Sequence, residues 1–414
     1  MRSARKNELE TLSPNQRAWR RLMKNKPAAG GLIIIALAVL IALLAYLLAP
    51  DNSPDANDQI PEIALEEPGF HIRLLKVRQN RKFPTQSWFE KCWAGSPNVF
   101  KMIPINAYTF RNDSIIVEKF AGRDRENQTL YKGVSLGFHL GDVVFPLAAK
   151  DAILKTAEGE LVVTKIGQQK QNVRISDLQH LIESEHIVAK TYYLGADRFG
   201  RSVLSRLILG VRISLTGGLI AVVISLTIGI FLGALAGYFG GWLDDLVMLL
   251  INTIWSIPTL ILVFAIVLAL GRGIGIIFLA VGLTMWVDVA RIVRGQVMGL
   301  RNMPFVEAAQ SMGFSTARII RKHILPNILG PVMVIAAANF ATAILIEAGL
   351  SYLGFGIKPP TPSWGTMLNE NYGYAISGKP FLALIPALAI MIMVLAFNLV
   401  GNGLRDALDV RSKD

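Results

Sequence analysis

Apolar residues along the chain gather into long uninterrupted runs rather than the short periodic stripes of a soluble protein. A helix that crosses a bilayer needs about 20 predominantly apolar residues. Runs of that kind occur at 30–50, 211–238, 246–270, 274–292, 331–349 and 380–401. Only Gly271-Arg272-Gly273 separates the third from the fourth, which predicts a tight hairpin. Between the first and second runs the pattern changes. Residues 51–190 contain no spanning run and carry 18 acidic and 18 basic residues. Short alternating stretches such as His71-Ile72-Arg73-Leu74 and Glu160–Ile166 take their place, and Glu158-Gly159 reads as a hairpin turn between two strands. The pattern predicts an all-α polytopic membrane protein with six transmembrane helices and a β-rich insert, 51–190, between helices 1 and 2. The remaining segments are a basic N-terminal segment 1–29, a helical core 191–401 containing a long polar loop 293–330, and a tail 402–414.

Composition agrees with this pattern. The chain is 52% hydrophobic and only 17% charged, where soluble domains carry roughly 25% charged residues. The net charge of +12 raises the question of nucleic-acid binding, but its distribution points to topology. Residues 1–29 hold eight Lys or Arg against two acids, and residues 291–322 hold six against one. Both clusters flank apolar runs, as the positive-inside rule requires of cytoplasmic segments. Six crossings from a cytoplasmic N-terminus return the C-terminus to the cytoplasm. They put 51–190 and the 350–379 loop outside and 293–330 inside. Such a protein sits in a membrane, and the lipid bilayer is its first partner.

The first run follows a basic flank, as a signal peptide does, but it exceeds the ~7–15-residue apolar core of one. Ala49-Pro50-Asp51 is also a poor cleavage site, so the run reads as a retained helix. Ahead of it, Ser13, Pro14 and Gln16 form a helix start, and Trp19–Lys24 places aromatic and basic residues at the membrane edge. Cys92 is the only cysteine, and the five histidines lack metal-ligand spacing, so no intramolecular disulfide or metal site is expected. No G-x-x-x-x-G-K-[ST] string is present, and no catalytic constellation either.

The most informative stretch lies in the polar loop. Asn302 is placed to cap a helix starting near Pro304. Glu307 falls in its early turns, where a carboxylate suits the positive helix end. Ala308 and Ala309 are small enough to let a partner approach the backbone. Gly313 is a natural left-handed stop, Ser315 can cap a second short helix, Arg318, Arg321 and Lys322 give it a polar face, and Pro326 turns the chain into the fifth span.

This Glu-Ala-Ala string, followed by Gly313 and by His323-Ile324-Leu325-Pro326, resembles the loop that permeases of bacterial ATP-binding-cassette importers dock into their ATPase subunits. Three further segments, Leu194–Arg206, Leu350–Gly365 and Gly403–Asp409, are similar to oligopeptide/dipeptide-type permeases, specifically to the second, or C-type, subunit. The resemblance covers residues 17–50 and about 191–411. The insert is longer than the outer segment of that family, and Gly195-Ala196-Asp197 departs from its glycine- and threonine-rich version. The resemblance implies a type I importer permease fold, with Glu307, Ala308, Ala309, Gly313, Arg318 and Pro326 coupling to the ATPase. It implies two cytoplasmic ATPase subunits that bind ATP and Mg, a second homologous permease and an extracytoplasmic solute-binding protein. This chain itself would hold no cofactor.

Polar residues inside spans are costly and mark functional positions. Asp288, Asn339 and Glu347 are candidates for the translocation path or its gate. The competing readings are a pairing of Asp288 with Arg291, helix–helix hydrogen bonding by Asn339 and Asn398, and local hydrogen bonding by Glu347. The prolines at 359, 360 and 362 stiffen the outer loop, as a gate or as a lid. The leading function is a peptide or small-solute permease subunit. The alternative is a membrane-anchored receptor or assembly factor that works through its outer domain.

Overall fold

The structure is a computed structural model that describes residues 14–123, 129–148, 152–155, 160–167, 169–271 and 273–408. Ser13, the Glu158-Gly159 turn, Arg272 and Asp409 lie outside the described residues. Two compact units divide the chain. A helical unit takes the residues up to Leu43, Gly210–Gly373 and those from Ala383 onward; the other takes Leu44–Leu209 with Tyr374–Leu382.

Helix α1 (Pro14–Lys24) leads into α2 (Lys26–Leu43) and a single turn, α3 (Ala45–Leu48). The second unit, which begins with α3, continues with β1 (Phe70–Arg78), α4 (Trp88–Ala94), β2 (Phe100–Arg111), β3 (Ser114–Lys119), β4 (Ser135–His139), α5 (Leu140–Val144), β5 (Ile153–Lys155), β6 (Glu160–Thr164), β7 (Lys170–Arg174), α6 (Ile175–Leu181) and β8 (Ile187–Tyr192). Strands β4-β3-β2-β1-β8 form an antiparallel sheet and β5-β6-β7 a smaller one.

The alternation in β1 explains why this sheet has two covered faces. Phe70, Ile72 and Leu74 point into a core with Ile60, Ile63, Phe120 and Tyr192. Leu75 points the other way, into a core with Leu140 and Val143 of α5 and Leu178 of α6. Successive strand residues face opposite sides, so adjacent Leu74 and Leu75 are both fully buried. Because β1 pairs with β8, the chain enters and leaves this unit side by side.

The helical unit continues with α7 (Val203–Phe239), α8 (Gly241–Trp255), α9 (Thr259–Leu270), α10 (Ile274–Leu300), α11 (Pro304–Ser311), α12 (Thr316–Ile319), α13 (Leu325–Tyr352), α14 (Trp364–Ile376) and α15 (Phe381–Leu408). Among the described residues, five helices are long and apolar enough to cross a membrane, or six if α8 and α9 count together. The expected third span, 246–270, is therefore not one continuous helix. It breaks with a 92° bend between α8 and α9. Pro258 supplies the reason, since a proline drives the residue before it out of the helical region and has no N–H to donate. Ser256 turns its hydroxyl back to the Thr253 carbonyl as α8 ends.

Helix α10 is the centre of this unit, with 67% of its most apolar window buried against 17–39% for the other long helices. Helix α7 packs on it through Gly229, Gly233 and Gly237, spaced one turn apart. A Cβ at Gly233 would sit 2.5 Å from the Ala290 carbonyl oxygen and 2.9 Å from Val293. In lipid, where helices gain little from hydrophobic burial against each other, such close backbone approach supplies the packing energy. Replacing Gly233 by leucine is expected to cost about 1–3 kcal/mol by overpacking. A lowered thermal midpoint in detergent would register the loss; an unchanged midpoint would refute the close approach.

Candidate functional site

The polar loop 293–330 folds as a buttressed helix–turn–helix. Val306 and Ala309, one turn apart on α11, are buried with Ile319 of α12 and Ile324 against Val289, Val293 and Val297 of α10. Gln310 fixes α11 to the end of α7 by donating to the Tyr238 hydroxyl at 3.2 Å, and Arg301, at the end of α10, donates to the Tyr238 carbonyl at 3.3 Å. Below it, Arg294 forms a two-pronged ion pair with Asp244 at the start of α8.

With its inner face occupied, α11 keeps Glu307 and Ala308 exposed, while Ala309 is part of the buried face. Gly313 has φ +75° and ends the helix as expected. Arg318 is exposed and lies over the Phe314 ring, which stacks on His323. Met303, Phe305 and Met312 extend the outer surface. Flexible methionines of this kind adapt to a partner surface.

Three details differ from the sequence reading. Met303, not Asn302, is the residue capping α11, with Pro304 in the first turn and no side-chain cap. Ser315 occupies the cap position of α12 but makes no capping hydrogen bond. Pro326 does not turn the chain. Residues Ile320–Ile324 form a π-helical turn that runs directly into α13, so the helix passes through the proline. The wider π turn relieves the clash that a proline ring makes with the carbonyl a turn before it.

The three intramembrane candidates do not form one cluster. Asp288 does not pair with Arg291. It accepts a hydrogen bond from Trp255 Nε1 at 3.0 Å, while Arg291 lies over the Trp255 ring and donates to Asn252 at 3.3 Å. Both charges are thus engaged by the last turn of α8, just before the break. Asn339 is buried and reaches the Met285 carbonyl at 3.5 Å, bridging α13 to α10. Glu347 lies two turns farther along α13 and is buried. Its Oε1 accepts from Ser351 at 2.8 Å, and its Oε2 makes no hydrogen bond. Asn398 lies on an exposed face of α15.

The proline-bearing loop closes over the Glu347 end of α13. A Cβ at Gly356 would fall 1.9 Å from Ser351 Oγ, and one at Gly365 would fall 2.6 Å from Ala348 Cα. Helix α14 starts there with Trp364, Thr366 and Met367 buried. The loop is a packed cover.

The sequence reading missed a polar knot in the second unit. Asp197 takes backbone N–H bonds from Phe199 and Arg201 on Oδ1 and the Arg201 side chain on Oδ2 at 2.6 Å, with Arg206 at 3.8 Å. All three side chains are buried. The Asp197/Arg201 spacing of four was the available signal. Nearby, Asp51 accepts from the Ser53 and Asp58 backbone N–H groups, and its own N–H donates to Ser205. Burial, together with the Asp51 charge, pushes the Asp58 carboxyl up to about 6.

Residues 229–414 match the family described as binding-protein-dependent transport system inner membrane component, and residues 13–68 match the N-terminal transmembrane domain of oligopeptide transport permease C. The oligopeptide transport system permease protein of Bacillus subtilis (strain 168) is 39% identical over 56% of this chain and 75% of its own length. The chain belongs to this permease family. The dipeptide transport system permease protein of the same organism is 40% identical over 56% of this chain and 72% of its own length. A glutathione transport system permease protein of Escherichia coli O6:K15:H31 (strain 536 / UPEC) is 43% identical over 54% and 73%. The solved MetNI methionine ABC transporter, inward facing, is similar at TM-score 0.42 and 21% identity over 49% of this chain and 96% of that one.

The permease is thus an inner-membrane subunit of an ABC transport system, a class that works with ATPase and binding-protein partners. The helix–turn–helix lies inside the family match. The β-strands of the second unit lie outside both matches.

Proposed function

We propose that the permease forms half of a translocation path for peptides or similar small solutes and couples it to ATP hydrolysis on separate subunits. Counting α8 with α9 as one span gives six crossings, with both termini cytoplasmic, residues 51–190 outside and the helix–turn–helix inside. A second, homologous permease supplies the other half of the path. Two cytoplasmic ATPases carry ATP and Mg, and an extracytoplasmic solute-binding protein delivers the solute. Glu307, Ala308, Gly313 and Arg318 form the coupling surface. Ala309 and Pro326 act from behind it, Ala309 on the buried side of α11 and Pro326 just after the π turn. Asp288, Asn339 and Glu347 belong to the helices that move when the path opens.

The observation that carries this reading is the buttressing of α11 and α12. Their inner faces are packed on α10, so a push on the exposed side moves the central helix rather than bending a loose loop. Peptide-like solutes are favoured by the names of the oligopeptide, dipeptide and glutathione permeases among the relatives.

Mass spectrometry of the complex that co-purifies with the tagged chain in mild detergent tests the assembly. A homologous permease and one or two P-loop ATPases are the expected companions. Recovery of the chain without any ATPase under several detergents would instead favour a receptor working through the outer domain.

A further inference from the structure

Helix α4 turns its apolar side outward. At about 100° per residue, Trp88, Cys92, Phe89 and Trp93 share one side, and Glu90, Lys91 and Ala94 share the other. An amphipathic helix in a soluble domain lays its apolar side on the core. Here Trp88 is 65%, Phe89 75% and Trp93 67% exposed, and no residue of α4 is buried. The helix is nevertheless well started, because the Ser87 N–H donates to Glu90 Oε2 at 2.8 Å within a capping box.

Its position says what covers that side. The end of α4 is fastened beside α3, which follows the first apolar helix after one residue. A Cβ at Gly95 would lie 2.7 Å from the Tyr46 ring, and the Ser96 N–H donates to the Asn52 carbonyl at 2.9 Å. Leu47 and Leu48 of α3 are themselves exposed. The outward tryptophans therefore stand beside the turn that continues the chain directly from the first apolar helix, and tryptophan is enriched where such helices meet the membrane surface. Lys91 on the helix and Arg81 and Lys82, a few residues before it in sequence, are exposed, which suits the phosphates of anionic headgroups.

We propose that α4 is an interfacial membrane anchor that lays Trp88, Phe89 and Trp93 into the lipid surface where the first span emerges, holding the β-rich unit down on the bilayer. The inference rests on α2 being a membrane span and is independent of solute, ATPase and the side of the membrane. It gives the insert a lipid contact that the family matches, which end at 68 and resume at 229, do not contain.

The test uses the full chain in nanodiscs of phosphatidylethanolamine and phosphatidylglycerol. A nitroxide is placed at Phe89→Cys in a Cys92→Ser background and, for comparison, at Lys170→Cys on exposed β7. Power saturation should give a severalfold higher ratio of oxygen to nickel-chelate accessibility at 89 than at 170. Equal ratios would overturn the anchor, put α4 in water as a surface for a protein partner, and leave the permease assignment standing. A second measurement needs only conservative changes. Brominated lipids should quench wild-type tryptophan fluorescence more than that of Trp88→Phe/Trp93→Phe, and the same fractional quenching in both proteins would also overturn it.

Discussion

Replacing Asp197 by alanine is expected to destabilise the β-rich unit by about 3–5 kcal/mol, the usual consequence of removing one partner from a buried ion pair. Asp197 and Arg201 are each 2% exposed and Arg206 is 1% exposed. Both guanidiniums would lose the carboxylate that Asp197 brings, with no bulk water to replace it. Two backbone N–H groups, of Phe199 and Arg201, would lose their acceptor as well. Asp197→Asn retains an acceptor without the charge and should fall between alanine and wild type. Thermal unfolding in detergent, followed by protection of the unit from protease, reads the order. An alanine variant that melts with the wild type would show that the knot carries little of the unit's stability.

Replacing Gly313 by valine is expected to lower ATPase retention in the purified complex by about tenfold, a loss of ~1.4 kcal/mol. Gly313 has φ +75°, and its missing Cβ would meet nothing within 4 Å. The penalty is thus one of backbone alone, about 1–2 kcal/mol for an L-residue in the left-handed region. The chain relieves it by changing the angle between α11 and α12, which separates Glu307 and Ala308 from Arg318. Gly313→Asn is the control, because asparagine tolerates that region. The decisive comparison is ATPase recovered per permease, with membrane insertion and thermal midpoint checked alongside. Valine and asparagine variants that hold ATPase equally well would remove the coupling role from this turn.

Parts of the candidate site were legible because they depend on neighbours in sequence. The left-handed stop at Gly313 needs only a residue without a Cβ. Ala308 and Ala309 look alike in sequence as small residues open to a partner, yet only Ala308 is exposed, because Ala309 shares the buried side of α11 with Val306. Pro326 was misread for an equally local reason. A proline in a helical pattern usually marks a boundary, but a π turn just before it is an alternative that hydropathy does not signal. The break between α8 and α9 was overlooked because Ile257 and Pro258 sit inside an unbroken apolar run, which mean hydropathy scores as one span.

Charged residues in the spans show the limit most clearly. Asp288 and Arg291, three residues apart, look like a helical pair from sequence alone. In the fold each finds a partner on α8 instead, Asp288 through Trp255 and Arg291 through Trp255 and Asn252. In the same way, the Asp51 N–H finds the Ser205 hydroxyl 154 residues away.

The sequence by itself determined which stretches are apolar enough to cross a bilayer, where a soluble-like insert interrupts them, and which loop carries the motif of the permease family. These are properties of composition and short spacing, and the free energy of moving apolar residues out of water acts on them directly. Only the tertiary structure decided which helix is central, which carboxylate meets which donor, and that the aromatic side of α4 is largely exposed. Those outcomes depend on crossing angles, register and close backbone contacts between residues far apart in the chain, and many sequences with the same hydropathy pattern would settle them differently.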